Sequence, residues 1–160
     1  MKYFQTLFQE NNSAVIECDG IIYRRFWPIQ VNGTLKFELC FVHSDSKFLQ
    51  SIVLAFPDTF DGKVAVMGNL VPVKKGAFPR VYFWEDTAQK EFEVEITSFQ
   101  GQLQVCNGSD PIGTKQFCKH MSEGCAMIVQ KTADRQYSFY CHDHEFEGPC
   151  NNLVFVLELL

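Results

Sequence analysis

The densest group of chemically versatile side chains lies in the segment 141–147, which has the sequence CHDHEFE. If a strand runs through it, His142 and His144 lie on one face, with imidazoles about 6–7 Å apart at a rise of roughly 3.3 Å per residue. That spacing allows both rings to bind one ion. The carboxylates available to complete such a site are Asp143, Glu147 and Asp110. The pattern therefore predicts a site for one divalent transition metal ion, as an alternative to a protein without any cofactor.

The His142-x-His144 pair resembles the first motif of cupins, in which H-x-H is followed by a Glu on the same sheet. Three features depart from that motif: the Glu follows His144 too early, Gln136 stands where a Gly is expected, and sixteen residues follow His144. Sixteen residues are too few for the second cupin motif with its own His. A solvated loop at the end of a strand is the competing interpretation, and the chain is not assigned to a family.

Cysteine and histidine recur in the C-terminal half, at Cys106, Cys118, His120, Cys125, Cys141, His142 and Cys150. Structural zinc prefers ligands at C-x₂₋₄-C spacing, and Cys118 with His120 only approaches it. Cys141 and His142 are neighbours, so on a strand they face opposite ways, which argues against a catalytic dyad. We expect buried free thiols that act as small apolar groups. A disulfide between Cys141 and Cys150 is the alternative in an oxidising compartment.

Aromatic residues make up 14% of the chain, and Phe alone occurs 16 times. Trp84, Trp27, Tyr82 and Phe26 are candidates for an aromatic platform that binds a sugar or a peptide. The acidic binding candidates are Asp110, Glu145 and Glu147. No phosphate-binding loop or nucleophile motif is present, so no catalytic residue is predicted.

The elements that position these residues are predicted to be strands. Apolar and polar residues alternate with a period of two in 34–42, 91–97 and 136–141, as on strands with one buried face. Several other runs, such as 51–56, are apolar on both faces and indicate buried strands. The prediction is an all-β domain spanning 1–160, a jelly-roll-like sandwich of two antiparallel sheets. It has about ten short strands and at most one or two short helices.

Glycine-containing pairs set the predicted turns between these strands. Asp19-Gly20 favours a two-residue hairpin turn of type I′. Asn32-Gly33 is predicted to break the chain before the strand at 34–42. Gln100-Gly101 is predicted to join two strands as a hairpin, and the segment 107–111, NGSDP, reads as a further turn.

The formal net charge is −5 and is unevenly distributed. Residues 1–80 hold nine Lys/Arg and seven Asp/Glu, a net of +2, whereas residues 81–160 hold five and twelve, a net of −7. An acidic half disfavours nucleic acid and anionic membranes as partners and suits a basic protein. The N-terminus lacks a secretory apolar run, and no stretch approaches the ~20 apolar residues of a membrane span, so a cytoplasmic protein is predicted.

Three functions remain open from the sequence. The first is a non-enzymatic module that docks a protein partner, with an inhibitor or immunity-type role against a basic partner as the specific hypothesis. The second is a metal-binding protein or metal-dependent enzyme that uses His142 and His144. The third is a carbohydrate-binding module with Trp84 or Trp27 as its platform. One fold accommodates all three, so the choice depends on the site.

Overall fold

A computed structural model describes residues 4–73, 79–115, 125–143 and 150–160. These residues form one short helix, α1, and eleven strands. The bounds are α1 (Phe4–Glu10), β1 (Val15–Cys18), β2 (Ile21–Arg24), β3 (Trp27–Ser44), β4 (Leu49–Ala55), β5 (Lys63–Val66), β6 (Asn69–Val71), β7 (Arg80–Trp84), β8 (Glu91–Asp110), β9 (Cys125–Ala133), β10 (Gln136–Asp143) and β11 (Leu153–Leu159). With 65% strand and 5% helix, the structure confirms the prediction of a mostly β protein.

The described strands belong to one antiparallel sheet, in the order β1-β2-β9-β10-β11-β3-β8-β4-β7. The β5–β6 hairpin joins this sheet through a second pairing with β8. The sheet is not closed, and the predicted two-sheet jelly roll is not confirmed. No helix among the described residues is long and apolar enough to cross a membrane.

Two long strands, β3 with 18 residues and β8 with 20, form the centre of the sheet. The turns predicted at Asn32-Gly33 and Gln100-Gly101 are therefore wrong, because both pairs lie inside these strands. β8 continues to Asp110, so the turn predicted at 107–111 begins only at the end of that segment. Gly33 has φ +91° and Gly101 has φ +143°, which ordinary side chains rarely adopt. Gly101 is paired with Val31, two residues before Gly33, and the register between the two strands shifts just after Gly33. The strands therefore bend together as a bulge instead of reversing.

The bend gives the two halves of β8 different neighbours along the same side. Its first half pairs with β5, with Ile96 opposite Val64, and its second half pairs with β4, with Val105 opposite Leu54. Three rings fill the corner, with centroid distances of 4.1, 5.5 and 5.0 Å for Phe56–Phe60, Phe56–Phe99 and Phe60–Phe99. The β5–β6 hairpin and the β4–β7 pair are consequently attached to β8 at two separate places.

Local sequence signals were reliable near the N-terminus. The hairpin at Asp19-Gly20 is confirmed, with φ +53° and +78° and Cys18 paired to Ile21. Phe4 and Phe8 lie on one face of α1 and are buried with Ile16 and Ala126 in a small core separate from the main one. The main core lies on the other side of the sheet and takes most of its volume from Phe and Leu side chains.

Opposite the main core, acidic residues meet across three strands. Glu158 of β11, Glu38 of β3 and Glu93 of β8 are in register, and we call these three the acidic row. Like charges directly opposite one another destabilise a sheet. A hydrogen bond with the Glu91 carboxyl, together with burial and the charges of Glu91 and Glu158, raises the pKa of Glu38. The folded state therefore holds this proton more tightly than the unfolded chain does.

A Glu38→Gln variant is expected to be more stable than the parent protein at pH 7, by a few tenths of a kcal/mol. Because the pKa of Glu38 is raised in the folded state, its contribution is favourable at low pH and is lost as the pH rises through that pKa. The gain should therefore shrink towards pH 4. Urea denaturation at both pH values measures it, with Glu17→Gln, whose position faces Ile22, as the matched control. An equal gain at both pH values would contradict the charge explanation.

Candidate functional site

The predicted metal ligands diverge where the structure describes them. His142 is 3% exposed and lies against α1, with its ring 5.2 Å from that of Phe4. Asp143 faces the opposite side of β10, where Ser46 Oγ donates to its carboxylate at 2.6 Å. His144 lies outside the described residues, as do Glu145 and Glu147. Within the described ranges, no three His, Cys, Asp or Glu side chains are grouped to hold a metal ion, so the metal site stays a prediction.

Asp143 belongs instead to what we call the interior polar cluster, formed with Ser46, Gln50 and Asn107. Gln50 Nε2 donates to Asp143 Oδ2, and Asn107 Nδ2 donates to the main-chain oxygen of His142 at 3.2 Å. Gln50 and Asn107 are 0% and 4% exposed, at one end of the main core. These contacts join β4 and β8 to the end of β10 across the interior. Sequence reasoning missed Gln50 and Asn107, because no spacing links them to residue 143.

The described cysteines are free thiols, including Cys141 and Cys150. Burial raises the pKa of Cys106 to about 12 and that of Cys150 to about 11, and it raises the pKa of Cys141 well above its usual value. Such thiols are protonated near neutral pH and are poor nucleophiles. The structure confirms free thiols at these positions; Cys141 and Cys125 are buried, whereas Cys106 and Cys150 are part-exposed. Cys118 and His120 lie outside the described residues.

Asp110, a predicted binding residue, organises the chain just after β8. Its Oδ1 accepts the main-chain N–H of Gly113 and its Oδ2 accepts that of Lys115, both at 2.9 Å. The side chain is 6% exposed. Both carboxylate oxygens therefore serve the local backbone, which explains the clustering of turn-forming residues here without a ligand.

A concave site lies along the free side of β7. This site, which we call the β7 groove, has a volume of about 540 Å³. One wall comes from the β5–β6 hairpin, including Met67 and Val71, and the opposite wall is β7 itself. Ala88 and Phe92 complete the apolar lining. The volume is within the roughly 300–1,000 Å³ typical of ligand sites.

The main chain of β7 presents hydrogen-bonding groups to this groove. Glu85 N donates to Gln50 O at 3.0 Å, and Phe56 N donates to Pro79 O at 2.8 Å. In an antiparallel pair of strands, hydrogen-bonded and non-hydrogen-bonded residue pairs alternate. Counted from either of these two bonded pairs, the pair of Tyr82 with Val53 is one of the non-hydrogen-bonded pairs. The N–H and C=O of Tyr82 therefore point away from β4, and no described strand pairs with β7 on that side.

On the face of β7 opposite the core, two stacked rings lie between two cations in a ladder of four side chains. The rings of Tyr82 and Trp84 are stacked, with centroids 5.6 Å apart and planes at 13°. The Arg80 guanidinium lies 5.6 Å from the Tyr82 centroid, and Lys115 Nζ lies 5.9 Å from that of Trp84. Each ring is thus covered on both faces, and Trp84 is only 8% exposed, so the ladder does not form a flat platform for a ligand.

Trp27, the other proposed platform residue, is not brought to this ladder. Trp27 is paired with Val105, Val105 with Leu54, and Leu54 with Val81 across neighbouring strands. Paired residues lie on the same face of a sheet, so Trp27 shares the face of Val81 and not that of Tyr82. Its ring lies 5.4 Å from that of Tyr137 and packs on the main core. Of the predicted binding residues, Tyr82 and Trp84 meet at the β7 groove, and Trp27 lies on the other side of the sheet.

An Asp143→Ala variant is expected to lose stability, because the Ser46 hydroxyl and the Gln50 amide would lose an acceptor in the interior. A buried donor left without a partner costs about 1–3 kcal/mol. Urea denaturation measures the loss, and Asp134→Ala, at an exposed position between β9 and β10, is the control. Equal stability of the two variants would show that the interior polar cluster does not hold these strands together.

No protein-family model, no curated protein and no solved structure matches this chain. Neither a relative's activity nor a fold family therefore bears on its function. The geometry of the β7 groove and of the residues around it is the basis for assigning one.

Proposed function

We propose that this protein is a non-enzymatic binding module that docks a protein partner in the β7 groove. The observation that carries the proposal is a mostly apolar groove placed directly against the side of β7 on which no described strand pairs. The described residues lining the groove include no His, Cys, Asp or Glu, the side chains that most often act as acids, bases or nucleophiles. This composition favours binding over catalysis.

The rim of the groove has the character of a protein interface. Met67, at the β5–β6 turn, lines the groove and is 54% exposed, and a large apolar side chain in such a position marks an interaction site. The opposite wall carries Arg80, Tyr82 and Trp84, the three residue types that most often dominate binding energy in interfaces. Tyr82 and Trp84 hold each other in place, so little side-chain entropy is lost on docking.

A basic partner remains part of the proposal, including the inhibitor or immunity-type role. Its support is the net charge of −5 and the place of the acidic row, since Met67 N donates to Glu93 O at 2.9 Å beside the groove. Glu93 of the row is already paired with Lys36 Nζ at 3.4 Å, so a basic partner would act mainly on Glu38 and Glu158, and its affinity would fall with salt. The two-layer sandwich packing of the module is likewise proposed, on the basis of the bend in β8 at Gly101.

The Ala88→Phe variant tests the proposal, because Ala88 lines the groove and a ring there would fill it. Linear dodecapeptides selected by display on the parent protein serve as probes. We expect their affinity for Ala88→Phe to fall at least about tenfold, equivalent to roughly 1.4 kcal/mol. Tryptophan fluorescence reports binding, since Trp84 lies at the groove.

Ala133→Phe is the matched control, because Ala133 is exposed at the end of β9, away from β7. Thermal unfolding of both variants checks that each is folded. Unchanged affinity for Ala88→Phe, or equal losses in both folded variants, would place the docking site elsewhere.

A further inference from the structure

We infer that the partner enters the β7 groove as an extended segment that adds a strand beside Tyr82. The inference rests on the proposed function and specifies the mode of docking. An extended polypeptide offers a main-chain donor and acceptor side by side, matching the outward N–H and C=O of Tyr82. A small apolar molecule would fill the groove but leave these two groups unmatched.

Apart from its length of five residues and the charge of Arg80, β7 lacks, within the described part of the chain, the features that usually protect an edge strand. Its register with β4 runs without a bulge from Arg80 to Trp84, and no Pro or Lys lies within it. Such an edge readily pairs with another chain. β6 is also an edge strand, because its only partner among the described strands is β5. The groove is thus bordered by two strand edges, and an inserted strand would lie against apolar side chains from both.

The ends of β7 limit the register of the added strand. Trp84 O already accepts the N–H of Ala88 at 2.8 Å and that of Thr87 at 3.1 Å. At the other end, Pro79 N has no hydrogen to donate, and Pro79 O is bonded to Phe56 N. Full main-chain pairing is therefore centred on Tyr82, and the added segment needs only three to five residues, or roughly 10–17 Å of strand.

The two faces of the added strand meet different surroundings. Side chains directed to the core side enter the groove beside Val81, Phe83 and Phe92, which favours apolar residues. Side chains on the other face lie along the ladder, where the permanently charged Arg80 favours an acidic residue next to it. The segment is thus a short alternation of apolar and polar residues, with an acidic residue near Arg80.

Two matched pairs of reagents test strand addition, using the display-selected dodecapeptide as the probe. The first pair is Tyr82→Pro and Tyr82→Ala: both remove the ring, and only the proline removes the outward N–H. An edge strand tolerates such a proline. We expect the affinity of the proline variant to be about tenfold lower than that of the alanine variant.

The second pair is two forms of the peptide that are N-methylated at alternate residues, one at even and one at odd positions. Only one set of amides faces β7 in an added strand, so one form should bind like the parent peptide and the other should lose at least about tenfold in affinity. Equal binding of both forms, together with equal affinities of the two Tyr82 variants, would overturn strand addition.

The outcome separates the two proposals. Suppose that Ala88→Phe abolishes binding, but that the two Tyr82 variants bind equally and the two N-methylated peptides bind equally. Docking in the groove then stands and strand addition fails. If no peptide can be selected, or if selected peptides ignore Ala88→Phe, both proposals fail. If the protein alone forms a dimer in sedimentation that Tyr82→Pro abolishes, the edge pairs with a second copy, which also overturns the inference.

Discussion

The pairing of β3 with β8, and the bend that they share at Gly33 and Gly101, is the constraint on which the rest of the structure depends. A straight pair of 18 and 20 residues would expose long apolar faces at its ends. The bend lets the same two strands contribute to the sheet on both sides of the corner filled by Phe56, Phe60 and Phe99. Because positive φ is needed at both glycines, side chains at either position would strain the centre of the sheet.

The groove is a consequence of that bend. β5 pairs with the first half of β8 and β4 with the second, so the strands added beyond them, β6 and β7, do not pair with each other. The opening between them is lined mostly by apolar side chains and faces the outward main-chain groups of Tyr82. An open edge is a liability in an isolated domain, since it invites association. Its position beside a ligand-sized groove, next to the stacked rings of Tyr82 and Trp84, is the basis of the docking site that we propose.

Sequence patterns predicted the local structure well and the long-range structure poorly. Alternation identified the strands at 34–42, 91–97 and 136–141, and Asp19-Gly20 identified its hairpin, because both signals depend on near neighbours. Gly33 and Gly101 were misread as turns, since a glycine with positive φ serves a hairpin and a bulged strand equally well. Tyr82 and Trp84 were recognised as candidates, but the edge position of β7 depends on strand order, which alternation does not encode. The contact of Gln50 with Asp143 joins residues 93 positions apart, and no spacing rule anticipates it.

The most direct test of the open edge is amide hydrogen exchange of β7 in the free protein, resolved residue by residue by NMR. Val81 and Phe83 are placed to donate to β4, whereas the N–H of Tyr82 faces the groove. We expect slow exchange at Val81 and Phe83 and exchange at Tyr82 faster by orders of magnitude, because its amide is not held in a ladder. Protection of Tyr82 equal to that of its two neighbours would show that the edge is already paired, and it would contradict the docking site proposed for this protein.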